Sequence, residues 1–292
     1  MDARIGIPAR VDLPRWPSVF STGLILWVAS VVVTAYTGNL IMIPTVVLLG
    51  SFLVPVTAIV WYLDHYESPQ ITPRVIFSTF FVGGVLGVLA ASVLESWLRS
   101  ETVLLYVAVG LTEEFAKLLA LVFIARRLAY YTIRDGIVLG AAVGFGFGAL
   151  ESSGYALTSL FVARGDDVVL SLSSLVFTEL LRGVLAPLGH GLWTAILGGA
   201  LFGASRGGRL RLTRGVVGAY LLASLLHALW DSMRGIAFVL TELLTATPDQ
   251  RIALMEGVVL PPTIKQVEVF LSFEIGGLAL ISVLGFVALR RL

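Results

Sequence analysis

The sequence predicts an all-α fold, a bundle of about eight transmembrane helices in a single membrane domain that covers residues 1–292. Of these residues, 57% are hydrophobic and 13% are charged, whereas soluble domains carry about 25% charged residues. The mean hydropathy is +0.94. Apolar runs of about 20 residues, enough to cross a bilayer core of roughly 30 Å, recur along the chain. These observations predict a polytopic membrane protein. The lack of cysteine excludes thiolate metal ligands and a cysteine nucleophile.

Eight stretches are apolar and long enough to be predicted as spans. They lie at approximately residues 19–37, 40–63, 75–98, 102–125, 136–162, 170–205, 215–241 and 268–289. The sixth is too long for one simple crossing, and Pro187 removes a helix hydrogen bond within it. We therefore expect a short interfacial helix at about 170–184, followed by the span itself. The first run lacks a convincing cleavage site, which favours a retained span over a signal peptide.

Glycine is frequent in several predicted spans, above all in the fifth, which contains Gly140, Gly144, Gly146 and Gly148. Small residues in membrane helices let two backbones approach closely. We therefore expect the fifth span to pack tightly against its neighbours. The Gly-Phe-Gly-Phe-Gly run lies inside a span with no preceding strand, so it is not a dinucleotide-binding fingerprint.

The distribution of basic residues predicts that both termini lie in the cytoplasm. With eight spans the termini share a side, and that side receives thirteen of the 20 Lys and Arg residues, against four on the other. Cytoplasmic loops carry the excess of basic residues in membrane proteins. The longest loop on the outer side, at about 242–267, contains three prolines. It is predicted to be a connector, with a lid as the alternative.

Three charged residues, Glu113, Glu114 and Lys117, lie near the middle of the fourth predicted span. Each charge at that depth costs at least about 2.5–3.5 kcal/mol on insertion scales. Lys117 follows the two glutamates by four and three residues, so all three side chains can share one helix face. An ion pair needs only one carboxylate. The second is therefore free to bind a metal or to accept a proton.

Further ionisable residues lie in the next three spans. Glu151 is in the fifth, His190 in the sixth, and His227 in the seventh with Asp231 one turn later. Counting 1.5 Å per residue from the span ends places Glu151 and both histidines within one or two turns of the bilayer middle. The glutamate pair of the fourth span lies at the same depth. This agreement predicts one shared polar site.

The residue types suit a hydrolytic metal site. Zinc binds imidazole nitrogen and carboxylate oxygen, and its catalytic sites combine three protein ligands with water. His190, His227 and Glu151 would supply such a ligand set. Glu113 or Glu114 would act as general base on the bound water, whose pKa the metal lowers toward about 7. Because the His-Glu-x-x-His motif is absent, the site must be assembled from separate helices.

The remaining polar residues are expected to support this chemistry. Asp231 is placed to accept a hydrogen bond from an imidazole N–H. Lys117 would keep one glutamate charged or stabilise an oxyanion, and Thr194 is a further candidate for supporting the site or the oxyanion. Arg182 is predicted to pair with Glu179, and its alternative role is to contact the backbone of a substrate.

Four motifs occur in order across the fourth to seventh predicted spans. They are Glu113-Glu114-x-x-Lys117, Phe147-x-x-x-Glu151, His190 followed by Trp193-Thr194, and His227-x-x-x-Asp231. Together they resemble the PrsW intramembrane proteases, which are related to the CAAX prenyl endopeptidases. The resemblance covers about residues 100–235, which would form the catalytic core. It implies a protease that cleaves in or near a transmembrane segment of a membrane protein, such as a single-span anti-sigma factor.

Several alternatives remain open at this stage. The CAAX relatives usually carry histidine where Glu151 stands, which leaves the ligand set unsettled. In a metal-free mechanism, a glutamate and a histidine would activate water while other polar groups stabilise the oxyanion. Intramembrane ionisable residues also suit an ion- or proton-coupled transporter, although no inverted repeat of broken helices is apparent. The third class is a non-catalytic assembly scaffold. The leading prediction is a zinc-dependent, multi-pass membrane endopeptidase with no nucleic-acid partner.

Overall fold

The computed structural model describes residues 15–98, 104–165, 167–258 and 260–292, most of which are helical. The α-helices are α1 (Trp16–Thr37), α2 (Ile43–His65), α3 (Pro73–Glu95), α4 (Leu104–Ala125), α5 (Ile133–Ser159), α6 (Leu172–Leu185), α7 (His190–Gly203), α8 (Arg214–Thr245), α9 (Pro248–Met255) and α10 (Ile264–Arg290). Strands β1 (Phe161–Arg164) and β2 (Asp167–Leu170) form an antiparallel hairpin. The predicted all-α bundle is confirmed.

Seven helical segments of the described chain are long and apolar enough to cross a membrane. They match seven of the eight predicted spans. The predicted fourth span corresponds to α4, which has 22 residues and differs from the others in carrying Glu113, Glu114 and Lys117. It packs between α3 and α8, and all three charged side chains are buried. The charges therefore face the interior of the bundle, where intramembrane ionisable groups can find partners.

Hydroxyl side chains mark most of the helix starts. Six N-cap residues accept a hydrogen bond from the backbone N–H three positions later; they are Thr72, Thr132, Ser171, Thr213, Thr247 and Thr263. Each such cap stabilises a helix by about 1 kcal/mol relative to alanine. The starts of these helices are thus encoded locally.

The long sixth span is broken at the predicted place. Helix α6 ends at Leu185, a 3-10 turn follows at Ala186–Leu188, and α7 begins at His190. Pro187 lies in that turn, where it cannot donate a backbone hydrogen bond, and Gly189 has non-helical dihedral angles of φ −104° and ψ −124°. His190 is consequently the first residue of a helix and projects from the break.

Helix α5 packs closely against α7 on one side and α3 on the other. A methyl group on Gly136, Gly140 or Gly144 would collide with a backbone carbonyl of α7. Gly146 faces the opposite way, where a methyl group would collide with the carbonyl of Phe80 in α3. The close approach expected from these glycines is present, and it fixes the positions of α5 and α7 by backbone contact.

Two elements differ from the sequence-based predictions. The predicted fifth span, 136–162, overruns the end of α5 at Ser159, because the chain turns there into the β1–β2 hairpin. Gly165 supplies the positive φ of 63° at the hairpin turn, a conformation that glycine adopts without steric cost. The predicted seventh span, 215–241, is too short, since α8 continues to Thr245.

The segment expected to be a connector contains α9, and α9 is tied to the start of α10. Both helices begin with a capping box, formed by Thr247 with Gln250 and by Thr263 with Gln266. The two glutamines also bond to each other, with Nε2–Oε1 distances of 3.1 and 2.9 Å. These reciprocal hydrogen bonds hold the N-termini of α9 and α10 side by side.

Candidate active site

The charged residues of α4 form one buried cluster. Lys117 Nζ lies 3.1 Å from Glu113 Oε2 and 2.8 Å from Glu114 Oε1. The helix spacing places all three on one face, as the sequence suggested. One ammonium therefore serves two carboxylates, which leaves negative charge for further partners.

His227 of α8 makes polar contacts through both ring nitrogens. Its Nδ1 lies 3.1 Å from Glu114 Oε1, while Nε2 lies 3.6 Å from Glu113 Oε2 and 3.3 Å from Asp231 Oδ2. The ring stacks on Trp193, with centroids 4.7 Å apart. Among the described residues, Nε2 is buried without a hydrogen-bond partner. If Nδ1–H donates to Glu114, Nε2 presents a free lone pair.

His190 is held between a cation and a carboxylate. Its Nδ1 lies 2.8 Å from Lys117 Nζ, and its Nε2 lies 2.9 Å from Glu151 Oε2. An ammonium group can only donate, so Nδ1 must accept, and Nε2–H then donates to Glu151. In this arrangement His190 is neutral and carries its lone pair on Nδ1.

The predicted ion pair between Glu179 and Arg182 is wrong. Arg182 reaches from α6 to α5, where it bonds to Glu151 and donates to Ser152 Oγ at 2.8 Å. Glu179 instead accepts a hydrogen bond from Trp27 Nε1 at 2.8 Å. Each residue is paired with a residue on another helix, and the partly exposed carboxylate of Glu151 is paired with the guanidinium cation of Arg182. Arg182 therefore adjoins the site through Glu151.

Three donor atoms converge at the centre. Glu113 Oε2, one nitrogen of His190 and one of His227 all lie within 4.8 Å of one another. The far nitrogen of each histidine is paired with a carboxylate, His190 with Glu151 and His227 with Glu114. Carboxylate–histidine pairs of this kind fix the tautomer of metal ligands. The donor types, and the unpartnered nitrogen of His227, therefore fit a divalent metal.

This converging group is not the ligand set expected from the sequence, which contained Glu151 in place of Glu113. Glu151 lies on the far side of the His190 ring, at Nε2. Lys117 Nζ contacts both Glu113 Oε2 and His190 Nδ1. The ammonium group and a metal would therefore share the same two donor atoms.

All of the predicted site residues belong to one network of contacts. They are Glu113, Glu114, Lys117, Glu151, Arg182, His190, Thr194, His227 and Asp231. Thr194 joins through its hydroxyl group, which donates to Glu114 Oε2 at 3.3 Å. Glu114 thus has three partners and is fully buried, whereas Glu113 is the carboxylate that faces both histidines.

Two contributors received no role in the sequence analysis. Glu95, the last residue of α3, interacts with Glu113, and nothing in its spacing pointed to this contact. Trp193 packs against both histidine rings. A signal for the tryptophan was present, because each histidine is followed three residues later by tryptophan, at Trp193 and Trp230.

A cavity of about 70 Å³ adjoins the site on the side of His190. Ser152, Arg182, Gly189 and Trp230 are among its lining residues. A water molecule occupies about 30 Å³ in the liquid, so the cavity has room for a small number of waters. His190, Arg182 and Ser152 are the polar residues of its otherwise apolar and glycine-rich lining.

The model of the PrsW family intramembrane metalloproteases matches residues 71–255, more than half of the chain, and this range contains every residue of the network described above. It extends beyond the expected core of about 100–235 at both ends. No curated protein and no solved structure matches the chain. The protein is therefore a member of the PrsW family of intramembrane metalloproteases, a peptidase built into a bundle of membrane-spanning helices.

Proposed function

We propose that the chain hydrolyses a peptide bond in or near a transmembrane segment, using zinc held by Glu113, His190 and His227. The observation that carries this proposal is the buried His227 Nε2, which has no hydrogen-bond partner among the described residues and lies 3.6 Å from Glu113 Oε2. Two imidazoles and one carboxylate are a common ligand set of catalytic zinc. When bound, zinc would supply Lewis-acid activation of water and of the scissile carbonyl group.

The surrounding residues orient these groups. Glu114 accepts from His227 Nδ1 and Glu151 accepts from His190 Nε2, which leaves the other nitrogen of each ring as the one within 4.0 Å of Glu113 Oε2. Lost partners of this type typically lower metal affinity or activity by about 10–100-fold. In this proposal, Glu151 acts as the orienting carboxylate of His190 rather than as a ligand.

Hydrolysis also needs a base for the proton of the attacking water and a cation for the negative charge that develops on the substrate. Asp231 Oδ2 lies 3.3 Å from His227 Nε2, and its side chain is partly exposed. It is the carboxylate that we assign to accept the proton from water. Lys117 lies against the same donor atoms, so its ammonium group can stabilise the oxyanion that forms on the substrate. Arg182, which lines the cavity beside His190, is assigned to the substrate backbone.

The substrate class and the orientation are also proposals. The family supports a membrane-embedded protein substrate, and its resemblance to known members supports a single-span anti-sigma factor. The basic residues of the loops around 126–134 and 206–214 support a cytoplasmic location for these loops and for both termini. Cleavage of a single-span protein with a different label at each end would report which side of the membrane receives each fragment.

Metal content is the first test. We expect about one zinc per chain in the purified wild type and none in His227→Ala, together with loss of cleavage. Ser232→Ala is the matched control. The Ser232 hydroxyl group lies on the same helix and donates to the α8 backbone carbonyl groups of Ala228 and Leu229. Wild-type protein that cleaves a substrate in the presence of chelator without bound zinc would contradict the metal proposal and favour glutamate-activated water.

A comparison of Glu113→Gln with Asp231→Asn distinguishes the metal ligand from the general base. We expect Glu113→Gln to lose zinc and activity together, whereas Asp231→Asn should retain zinc and lose activity. If Glu113→Gln keeps its zinc while cleavage stops, then Glu113 is the base instead. Both measurements use the same purified proteins, with metal content read independently of turnover.

A further inference from the structure

A second buried carboxyl group lies outside the active-site network, at Glu179 in α6. The residue is 4% exposed, and one of its oxygens accepts the hydrogen bond from Trp27 Nε1. The other oxygen, Oε1, is buried and has no hydrogen-bond partner within the described chain. A buried acceptor without a hydrogen bond lowers stability, so a ligand that donates a hydrogen bond to this oxygen would remove that cost.

Glu179 lines a cavity of about 190 Å³ between α1, α2 and α6. The other lining residues are glycine or apolar, and Leu24 and Val184 among them are exposed on the outside of the bundle. A methyl group on Gly50 would collide with the Glu179 carboxyl group, so glycine there makes room for it. The cavity is thus apolar, open toward the lipid and equipped with one free hydrogen-bond acceptor.

This cavity is separated from the active-site cavity by a thin wall. Val54 and Gly183 line the outer cavity, while the adjacent residues Pro55 and Arg182 line the inner one. A methyl group on Gly183 would find only Val54 Cγ2 nearby, at 3.9 Å. The α6 side of the wall ends at the break before α7. The contact between α2 and α6 is therefore loose at Gly183, close to the end of α6.

The other helix contacts around the site are tight. A methyl group on Gly84 would collide with the backbone of α5, and one on Gly140 with the backbone of α7. On Gly110 of α4, it would approach the carbonyl oxygen of Ser224 in α8 to 2.5 Å. A transmembrane segment cannot pass between backbones already in contact. Within the described bundle, the α2–α6 contact is the more open lateral route.

We propose that the cavity lined by Glu179 docks a transmembrane segment of the substrate, which then reaches the active site between α2 and α6. Glu179 Oε1 accepts a hydrogen bond from that segment. The donor is a hydroxyl side chain or a backbone N–H group freed where the substrate helix unwinds, because in lipid such groups need a protein partner. This inference rests on the proposed function, but docking can be measured without hydrolysis.

The first experiment measures docking by photocrosslinking. Because the chain contains no cysteine, single cysteines replacing Val184 or Val283 can carry a benzophenone label. Val184 is 73% exposed at the cavity, and Val283 is 56% exposed on α10 away from it. The probes are two labelled leucine–alanine transmembrane peptides in vesicles, one with a central serine and one without. We expect at least fivefold more adduct from Val184 than from Val283 with the serine peptide.

The role of Glu179 is tested in the Val184→Cys background. Glu179→Gln, which keeps an acceptor oxygen, should retain the preference for the serine peptide, whereas Glu179→Leu should lose it. The unfolding midpoint in detergent checks that each variant is folded. Equal adducts from the two label positions would overturn the docking site. An unchanged serine preference in Glu179→Leu would overturn the role of the carboxyl group.

The second experiment closes the wall. Cysteines replacing Val54 and Gly183 would lie close enough for a disulfide after a small adjustment. We expect the oxidised pair to cleave a single-span protein at least tenfold more slowly than the reduced pair, whereas each single-cysteine variant should cleave at the same rate under oxidising and reducing conditions. Equal rates in the oxidised and reduced pair would overturn the route. A wild type that cleaves nothing would instead count against the proposed function, and the crosslinking result would be unaffected.

Discussion

Two carboxylates on α5, the buried Asp135 and the partly exposed Glu151, have opposite surroundings. Asp135, near the start of the helix, accepts hydrogen bonds from Tyr66 Oη at 3.1 Å, Gln70 Nε2 at 3.0 Å and Thr132 Oγ1 at 2.8 Å. All three donors are neutral. Glu151, four turns later, is bound by Arg182 and His190. Its partners are a guanidinium group and an imidazole.

The different partners indicate different roles for Asp135 and Glu151 on α5. At Asp135, neutral donors satisfy the carboxylate and join the α2–α3 connection to α5, which is a purely structural use of a polar group. At Glu151, the partners are groups that can exchange protons or bind a metal and a substrate. A fully satisfied network makes one structure rigid, whereas the site retains an unpartnered nitrogen on His227. The predictions below test this division.

Removal of Lys117 should have the largest effect on stability. Lys117→Met leaves Glu113 and Glu114 buried without their shared cation, and breaking a buried pair in this way costs about 3–5 kcal/mol. We expect a large loss of thermal stability in detergent, measured by the unfolding midpoint. Lys117→Arg, which restores the charge, should recover part of it. An unchanged midpoint in Lys117→Met would mean that the glutamates are held by other means.

The two carboxylates of α5 can be compared directly by amide substitution. Glu151→Gln should lower cleavage by about 10–100-fold, because His190 loses its orienting carboxylate. Asp135→Asn should leave the rate per folded molecule nearly unchanged and lower stability, by about 1–3 kcal/mol if one donor is left unsatisfied. Rate and unfolding midpoint are measured on the same samples. A similar loss of rate in both variants would contradict the assignment of a catalytic role to Glu151 and a structural role to Asp135.

Two glycines of α5 test whether close packing sets the site. Gly140→Ala forces a methyl group against the Thr194 carbonyl of α7, and such overpacking typically costs about 1–3 kcal/mol. Gly154→Ala is the matched control, since nothing lies within 4 Å of its added methyl group. Alanine there should stabilise the helix by up to about 1 kcal/mol. Equal destabilisation by both substitutions would show that the loss does not arise from contact with α7.

Tyr66 should give the smallest effect, and only at high pH. Burial, reinforced by the charge of Asp135, raises the pKa of Tyr66 above its usual value of 10.0. A raised pKa in the folded state favours the protonated form, so this contribution is complete below pH 10 and is lost as the pH rises through the folded pKa. Tyr66→Phe should lack this alkaline decline. Titrating the unfolding midpoint of both proteins from pH 8 to 11 measures the difference.

The active-site end was predictable from the sequence because its information is local and repeated. Glu113 and Lys117 are one turn apart on a single helix. Further ionisable residues lie at about the same predicted depth in the bilayer in the next three spans. The break near Pro187 was predictable for the same reason. That Glu113 rather than Glu151 converges with the two histidines was not predictable, because it depends on which nitrogen of His190 each carboxylate faces.

The structural end was less predictable. Thr132 could have been identified as the N-cap of α5, since a threonine precedes the helix and bonds to the Asp135 N–H. The partners Tyr66 and Gln70 come from a connection more than 60 residues away, and no helical period brings them to Asp135. The wrong pairing of Glu179 with Arg182 has the same origin. Their spacing of three residues suggested an ion pair within α6, whereas Glu179 bonds to α1 and Arg182 to α5.

The glycine contacts between α5 and α7 have a consequence for how the enzyme responds to its membrane. Bilayers differ in thickness, and helices adapt to them by tilting. Helices α1 and α10 expose most of their surface on the outside of the bundle, so they can tilt with little resistance. Because α5 and α7 touch through their backbones, we expect these two helices to keep their relative position when the peripheral helices tilt. The distance between Glu151 and His190 should then persist in membranes of different thickness.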